Sequence, residues 1–417
     1  MNKKFDSSEK QKIAFLCHPW HRGGVTRWMA DAAMALTKRG IEVCFITVEL
    51  HGKIAPTNSR ETMLQLLTKE NNTVHIIKEK VGYEFEFGTA SYRAYIYRKL
   101  IVQLPPGTPI ILSDDPPVWA AATALHNTYP VIGVLHADDT HYYRLAEKYF
   151  RQTDMFVCVS NRISKNLKDR LPEFDPALIY TIPCGINLPA IDNSIQPHPL
   201  LQLVYLGRIS DYQKRTGDLV KICTLLFKNK APFHLNIIGD GDAKPALENT
   251  FIVAGLQHSV TFCGWLTQEG VTGYLAAADM LLLTSDFEGM PIAMMESLAA
   301  GCGVVGTRVS GIEDYEQDPL AAGCMGIYTV GDIEEAVSKI NKVAAIPVNE
   351  RRLAARKLAE TQFSMQVCLD KYLDAIAAIS PRSAQVPRIK FTFSSLIYSR
   401  AIAVARRLKV KLFLQKK

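Results

Sequence analysis

Residues 285–299 read SDFEGMPIAMMESLA and follow directly on the apolar run Met280, Leu281, Leu282, Leu283, Thr284. That run is short enough for a buried parallel strand and too short for a core helix. Gly289 permits a sharp turn and Pro291 suits a first helical position, so the stretch predicts strand, turn and helix. Its two carboxylates, Glu288 and Glu296, stand eight residues apart. One falls on the turn at the carboxyl edge of a sheet and the other two turns up the helix, roughly 12 Å away at 1.5 Å per residue. A nucleotide's ribose and a sugar joined to it by a diphosphate span a similar distance. The amides of Gly289, Met290 and the residues after Pro291 are unsatisfied donors at a helix start, aimed at whatever anionic or hydroxyl-rich group lies there. A capping role for Glu296 and a solvated Glu288 are the plainer alternatives.

Outward from this stretch, short β-branched runs alternate with helix-length segments, the pattern of parallel sheets wrapped by helices on both faces. Towards the N-terminus, strands are expected at residues 12–17 (KIAFLC), 42–48, 74–77, 110–112, 131–135 and 155–159, with a helix at 25–38 after the loop HPWHRGG. The polar, proline-bearing LPAIDNSIQPHPL reads as a linker. Beyond it come strands at 201–207, 234–238, 260–262, 280–284 and 303–306, a helix at 215–227 and helices over 332–379. Two doubly wound α/β halves form a cleft between their strand ends, where ligands bind. The halves divide at 1–185 and 201–362 around the linker 186–200; a helix at 363–380 crosses back to the first half, and a basic apolar tail occupies 381–417.

At 417 residues, 48% hydrophobic and 21% charged, the chain has the size and make-up of two globular domains. There is no run of about 18 uncharged apolar residues to span a membrane. The start, MNKKFDSSEKQKIAF, lacks the apolar core of a secretory leader. The nine cysteines have no paired spacing and read as small core residues of a reducing, cytoplasmic setting. Of the 48 basic residues, ten lie in 382–417 with no acid among them, which leaves 38 basic against 41 acidic residues in the body. A nearly neutral body gives no support to nucleic-acid binding. In the tail Ile397, Ala401, Val404 and Leu408 recur at helical spacing among Arg400, Arg406, Arg407, Lys409 and Lys411. That pattern suits either an anionic membrane surface or packing on the first half.

Several strand-end loops carry chemistry. HPWHRGGV puts Gly23 and Gly24 before a helix, where backbone can approach a phosphate or hydroxyl. LGRISDYQKR supplies Arg208, Lys214 and Arg215, cations suited to a diphosphate when they stand at a strand mouth. IIGDGD has only Gly239 and Gly241, with Lys244 where a dinucleotide fingerprint needs its third glycine, so a nicotinamide site is not expected. His136 ends VIGVLH, where an imidazole can donate to a substrate hydroxyl or serve structure. The adjacent Asp138 and Asp139 point to opposite faces of an extended segment, which argues against a metal site.

Taken together, Gly23-Gly24, HAD after a strand, CVSN at 158–161, IPCGIN, GRISDYQKR, IIGDGD, CGW at 263–265 and the Glu288 to Glu296 stretch resemble the retaining glycosyltransferases of family 4, the group 1 family with the two-Rossmann GT-B fold. The resemblance covers about residues 12–380. It implies transfer of a sugar from a nucleotide diphosphate sugar donor to a hydroxyl of a glycan or lipid-linked glycan in the cytoplasm, with no cofactor and no metal; the tail, where it binds membrane, would place this at the inner face of the cell membrane. It implies that Glu296 accepts from ribose hydroxyls, Glu288 holds the donor sugar, and Arg208 and Lys214 neutralise the diphosphate in place of a metal. Gly24 would meet a phosphate, His136 would orient the sugar, and the Gly289, Met290, Pro291 turn would read its hydroxyls. No protein nucleophile is implied, and the acceptor attacks the donor's front face. VSGIEDYEQD departs from the family's glycine-rich version ending in Pro-Glu, which leaves Ser310, Gly311 and Glu313 without a role. A sugar-nucleotide epimerase on the same fold and a non-catalytic sugar-nucleotide-binding protein stay open as alternatives.

Overall fold

The computed structural model describes residues 11–17, 24–50, 74–112, 115–190, 199–379 and 392–414. Seven strands form a first sheet: β1 (Lys12–Leu16), β2 (Glu42–Leu50), β3 (His75–Val81), β4 (Ile110–Leu112), β5 (Val131–Leu135), β6 (Met155–Cys158) and β7 (Ile179–Thr181). Their spatial order is β3-β2-β1-β4-β5-β6-β7. Six form a second: β8 (Leu201–Leu206), β9 (Phe233–Ile238), β10 (Val260–Gly264), β11 (Met280–Leu283), β12 (Gly303–Thr307) and β13 (Met325–Tyr328), ordered β10-β9-β8-β11-β12-β13. Every strand pairing is parallel. The order reverses beside β1 and beside β8, so β1/β4 and β8/β11 open crevices at their carboxyl ends.

Both faces of the central strands are covered, which is why they read as unbroken apolar runs. In β11, Met280 and Leu282 pack into one hydrophobic layer while Leu281 and Leu283 pack into the layer on the other side. Two strands escape the sequence pattern, β7 and β13: both are edge strands, and IYT and MGIY lack the unbroken aliphatic run that marks the equally short β4, IIL. The helix expected over 215–227 forms as Gly217–Lys228, and a separate short helix, Asp211–Lys214, precedes it. Arg215 breaks them by turning left-handed, at φ 44°. Its guanidinium is drawn to Asp218 and Asp286 at 2.7 and 3.1 Å.

The chain returns to the first domain after the second. Ile186 donates to the Phe363 carbonyl and accepts from the Met365 amide, at 2.8 and 2.9 Å. The following helix, Met365–Ala377, then lays Tyr372 against Trp28 and Asp370 against Arg39. The last helix, Phe393–Leu414, packs on the short helix Tyr83–Phe87, which directly follows β3.

Candidate active site

The turn after β11 ends in a helix, Ile292–Ala299, with Pro291 one position earlier than expected: it caps the helix in extended conformation. Glu288 stands on that turn, 6% exposed. Its Oε1 accepts from Lys214 Nζ at 2.5 Å and Ser285 Oγ at 2.6 Å, and Gln213 Nε2 reaches Oε2 at 3.4 Å. A buried carboxylate demands such partners. The β8 and β11 ends therefore bring Glu288 and Lys214 together at the crevice of the second sheet. Arg208, on the turn between β8 and the helix that carries Lys214, is exposed, and among the described residues it has no carboxylate partner. Arg215 does not join this cluster, because Asp218 and Asp286 hold it.

Glu296 lies further along the helix, half-buried, accepting from Gln268 Nε2 at 2.8 Å. Burial raises its carboxyl above the ordinary range; Gln268 and Arg27 oppose that shift and Asp31 adds to it. Glu296 lines a cavity of about 170 Å³ between the domains, with Gly24, Arg27 and Asp31 on one wall, Asn187 at the crossing point and Gln268 opposite. Gly24 opens the first helix, Gly24–Lys38, so that helix's amino end faces the cavity. A Cβ on Gly24 would come within 2.7 Å of Ile292 across the cleft. Gly23 lies outside the described residues.

The two domains meet along a backbone seam. Ala137 forms an antiparallel bridge with Gly289, and the Asp138 amide donates to the Glu288 carbonyl at 3.0 Å. Only glycine fits here, since a Cβ at Gly289 would lie 1.8 Å from the His136 carbonyl oxygen. Met290 beside it is 6% exposed. The His136 ring itself packs edge-on to Trp28 at 5.2 Å, with Tyr142 and Cys184 around it. Its backbone meets the second domain while its imidazole, 7% exposed, sits within the first. Asp138 accepts from Tyr143 and Asn166 at 2.5 and 3.3 Å, and Asp139 caps the helix Thr140–Tyr149. Among the described residues, no group of three or more His, Cys, Asp or Glu side chains could hold a metal.

The stretch VSGIEDYEQD acquires a role that its spacing did not reveal. Ser310 shares a 2.6 Å hydrogen bond with Ser160, both buried; Asp314 accepts from the Asn161 amide at 2.8 Å; and Arg162 grips Glu313 with two hydrogen bonds. Gly311, at φ 80°, presses on Gly289, whose carbonyl oxygen a Cβ would meet at 2.1 Å. These residues join the domains, and the helix-starting CVSN segment supplies the other half. The glycines of IIGDGD serve packing as well: Cβ atoms at Gly239 and Gly241 would strike the carbonyls of Gly207 and Ile209 at 1.8 and 2.0 Å.

Two facing Rossmann-like domains, with paired charges at the second sheet's crevice and a cavity at the crossing point, define a GT-B glycosyltransferase architecture. Residues 22–189 match the profile described as Glycosyltransferase Family 4, and residues 201–345 match Glycosyl transferases group 1. The chain belongs to this family of glycosyltransferases. It is 28% identical over 181 residues to an amylovoran biosynthesis glycosyltransferase of Erwinia amylovora, covering 41% of this chain and 43% of that protein. It is 27% identical over 235 residues to a lipopolysaccharide core biosynthesis glycosyltransferase of Rhizobium meliloti, covering 55% and 66%. The chain thus spans about half the length of the curated relatives it matches. Among solved structures, a lipopolysaccharide outer core galactosyltransferase in apo form superimposes with a TM-score of 0.65 at 16% identity, covering 88% of this chain and 99% of that one. Anabaena HepE, solved with UDP and glucose, gives 0.67 at 15%, covering 88% and 100%. At such identities the likeness establishes the fold.

Proposed function

We propose that this protein transfers a sugar, with retention of anomeric configuration, from a nucleotide diphosphate sugar to a hydroxyl of a glycan or lipid-linked glycan, as a cytoplasmic enzyme of polysaccharide or envelope biosynthesis. The observation that carries this reading is the interdomain cavity in which Glu296 of the second domain faces the amino end of the first domain's first helix. A carboxylate there accepts from ribose hydroxyls, and helix amides, joined by the Gly23 and Gly24 loop, meet phosphate. Arg208 and Lys214 take up the charge that grows on the diphosphate as its bond to the anomeric carbon breaks, so no metal and no cofactor are needed. Glu288 and the Gly289 to Pro291 turn hold the donor sugar, with His136 behind the turn. The acceptor oxygen bonds to the anomeric carbon on the face that the diphosphate leaves, and the hydroxyl proton passes to the departing phosphate oxygen. Family membership and the relatives' named roles in amylovoran and lipopolysaccharide core biosynthesis support the reading.

A thermal-shift screen of the purified protein against a panel of nucleotide sugars tests it. The cognate donor at 100 times its dissociation constant stabilises the fold by about 2.7 kcal/mol. A panel covering the common bases and sugars that leaves the melting temperature unmoved would overturn the proposal.

A further inference from the structure

The Phe393–Leu414 helix is two-faced. Ser399 and Ala403 are fully buried against the end of the Tyr83–Phe87 helix. Ser399 Oγ accepts from the Thr89 amide at 3.1 Å. Arg406 donates to the carbonyls of Phe87 and Gly88 at 3.3 and 3.0 Å, acceptors that a helix end leaves unsatisfied. Arg407 sits 4.9 Å over the Tyr83 ring, and Arg400 lies 3.6 Å from Glu84. Small residues and arginines thus fasten one face to the first domain.

The opposite face is open. Ile397, Ala401, Val404 and Leu408 follow one another at steps of four, three and four residues, on the side away from Ser399 and Ala403. Ile397, Val404 and Leu408 are 53%, 43% and 55% exposed. Arg400 and Arg407 border this stripe on one flank, Tyr398 and Lys409 on the other. Scattered exposed apolar side chains are ordinary, but five of the eleven large ones exposed among the described residues fall on this helix. On the helix itself the charge has one sign, with Arg400, Arg406, Arg407, Lys409 and Lys411 and no acid; Glu84 and Glu86 stand on the short helix beneath it. An apolar stripe bordered by cations lies flat in the interface of an anionic bilayer. Among the described residues no helix is long and apolar enough to cross one.

We propose that this open face binds an anionic bilayer surface while the other face keeps the helix fastened to the first domain. The docking site adds a direction. Tyr83–Phe87 follows the carboxyl end of β3, the edge strand of its sheet, so the helix is anchored at the cleft-facing end of the first domain. If the acceptor is lipid-linked, the one point that rests on the proposed function, it reaches the cleft from the side on which the helix holds the membrane.

Co-sedimentation with vesicles decides the matter. The full chain is expected to pellet with vesicles of equal parts phosphatidylglycerol and phosphatidylcholine, not with phosphatidylcholine alone, and less as salt rises. Ile397→Ser/Val404→Ser/Leu408→Ser should weaken binding at least tenfold. Lys409→Gln should weaken it roughly fivefold. A circular dichroism spectrum and melting temperature equal to wild type show that each variant is folded, and the nucleotide-sugar thermal shift reads the cleft separately, so failure here and failure of the proposed function are separable. Equal pelleting of the triple serine variant overturns the proposal, as does failure of the wild type to pellet. A wild-type dimer that the triple variant converts to monomer, without vesicle binding, would assign the face to a second copy of the chain and likewise overturn it.

Discussion

The ammonium of Lys214 is committed to Glu288, in a pair whose side chains are 19% and 8% exposed. Removing one member of such a pair strands a buried charge, at a cost of about 3–5 kcal/mol. Lys214→Met should lose that much in urea unfolding, and Lys214→Met/Glu288→Gln should recover most of it; purely additive losses would show that the pair is uncoupled. Arg208 is exposed, so Arg208→Ala should weaken donor binding roughly 10- to 150-fold by titration while leaving the unfolding midpoint in place. If Arg208 and Lys214 serve the diphosphate, turnover persists in excess EDTA, whereas loss restored by Mg²⁺ or Mn²⁺ would require a metal. Glu296 behaves differently. Its carboxyl is raised in the fold, so the ionised form costs stability, and that stability is lost as pH rises through the folded value. Glu296→Gln should therefore melt higher than wild type at neutral pH, with the difference vanishing in acid, below the unfolded value of about 4.3. Ribose hydroxyls favour the ionised carboxylate. Wild-type donor affinity should fall as pH is lowered through the raised value, and the glutamine variant should bind weakly and without that pH dependence.

The turn between β11 and the Ile292–Ala299 helix is the element on which both domains converge. It offers Glu288 inward to Lys214 and, through Gly289, its backbone outward to Ala137. Gly289→Ala would place a methyl 1.8 Å from the His136 carbonyl oxygen, which backbone must yield to accommodate. Overpacking of this kind costs about 1–3 kcal/mol. The expected outcome is a lower melting temperature together with a larger radius of gyration in solution scattering. A variant with the wild-type radius would show that the seam closes around the methyl and does not set the cleft.

At the scale of the molecule, polar contacts of the Ser160 to Arg162 segment reinforce the Ala137 to Gly289 backbone seam: the Arg162 to Glu313 pair, the Ser160 to Ser310 hydrogen bond, and the Asn161 amide on Asp314. Arg162 and Glu313 are 35% and 24% exposed, so the pair is partly screened and modest in strength. Arg162→Ala should leave each domain folded, with an unchanged circular dichroism spectrum, and open the cleft, read as scattering that adding donor restores to the compact form. Scattering identical to wild type without donor would place the closing force elsewhere in the seam.

The chain alone was legible wherever local pattern decides structure. Apolar runs such as 280–284 and 131–135 announce strands buried on both faces, turn residues punctuate them, and their alternation with helices implies two doubly wound sheets. Arg208 and Glu288 could be singled out because each closely follows the end of such a run, Lys214 because it belongs to the basic stretch after Arg208, and Glu296 by its spacing from Glu288. Tertiary structure decided what these groups face. Lys214 meets Glu288 rather than water, Arg215 turns away to Asp286, His136 gives its backbone to the seam and its ring to Trp28, and Glu313 finds Arg162 from the other domain. The edge strands β7 and β13 each pair with a single neighbour, and their sequences carry no aliphatic run to announce them. Side-chain partners 71 to 151 residues apart leave no periodic trace, since their meeting depends on strand order within a sheet and on how the two sheets face each other.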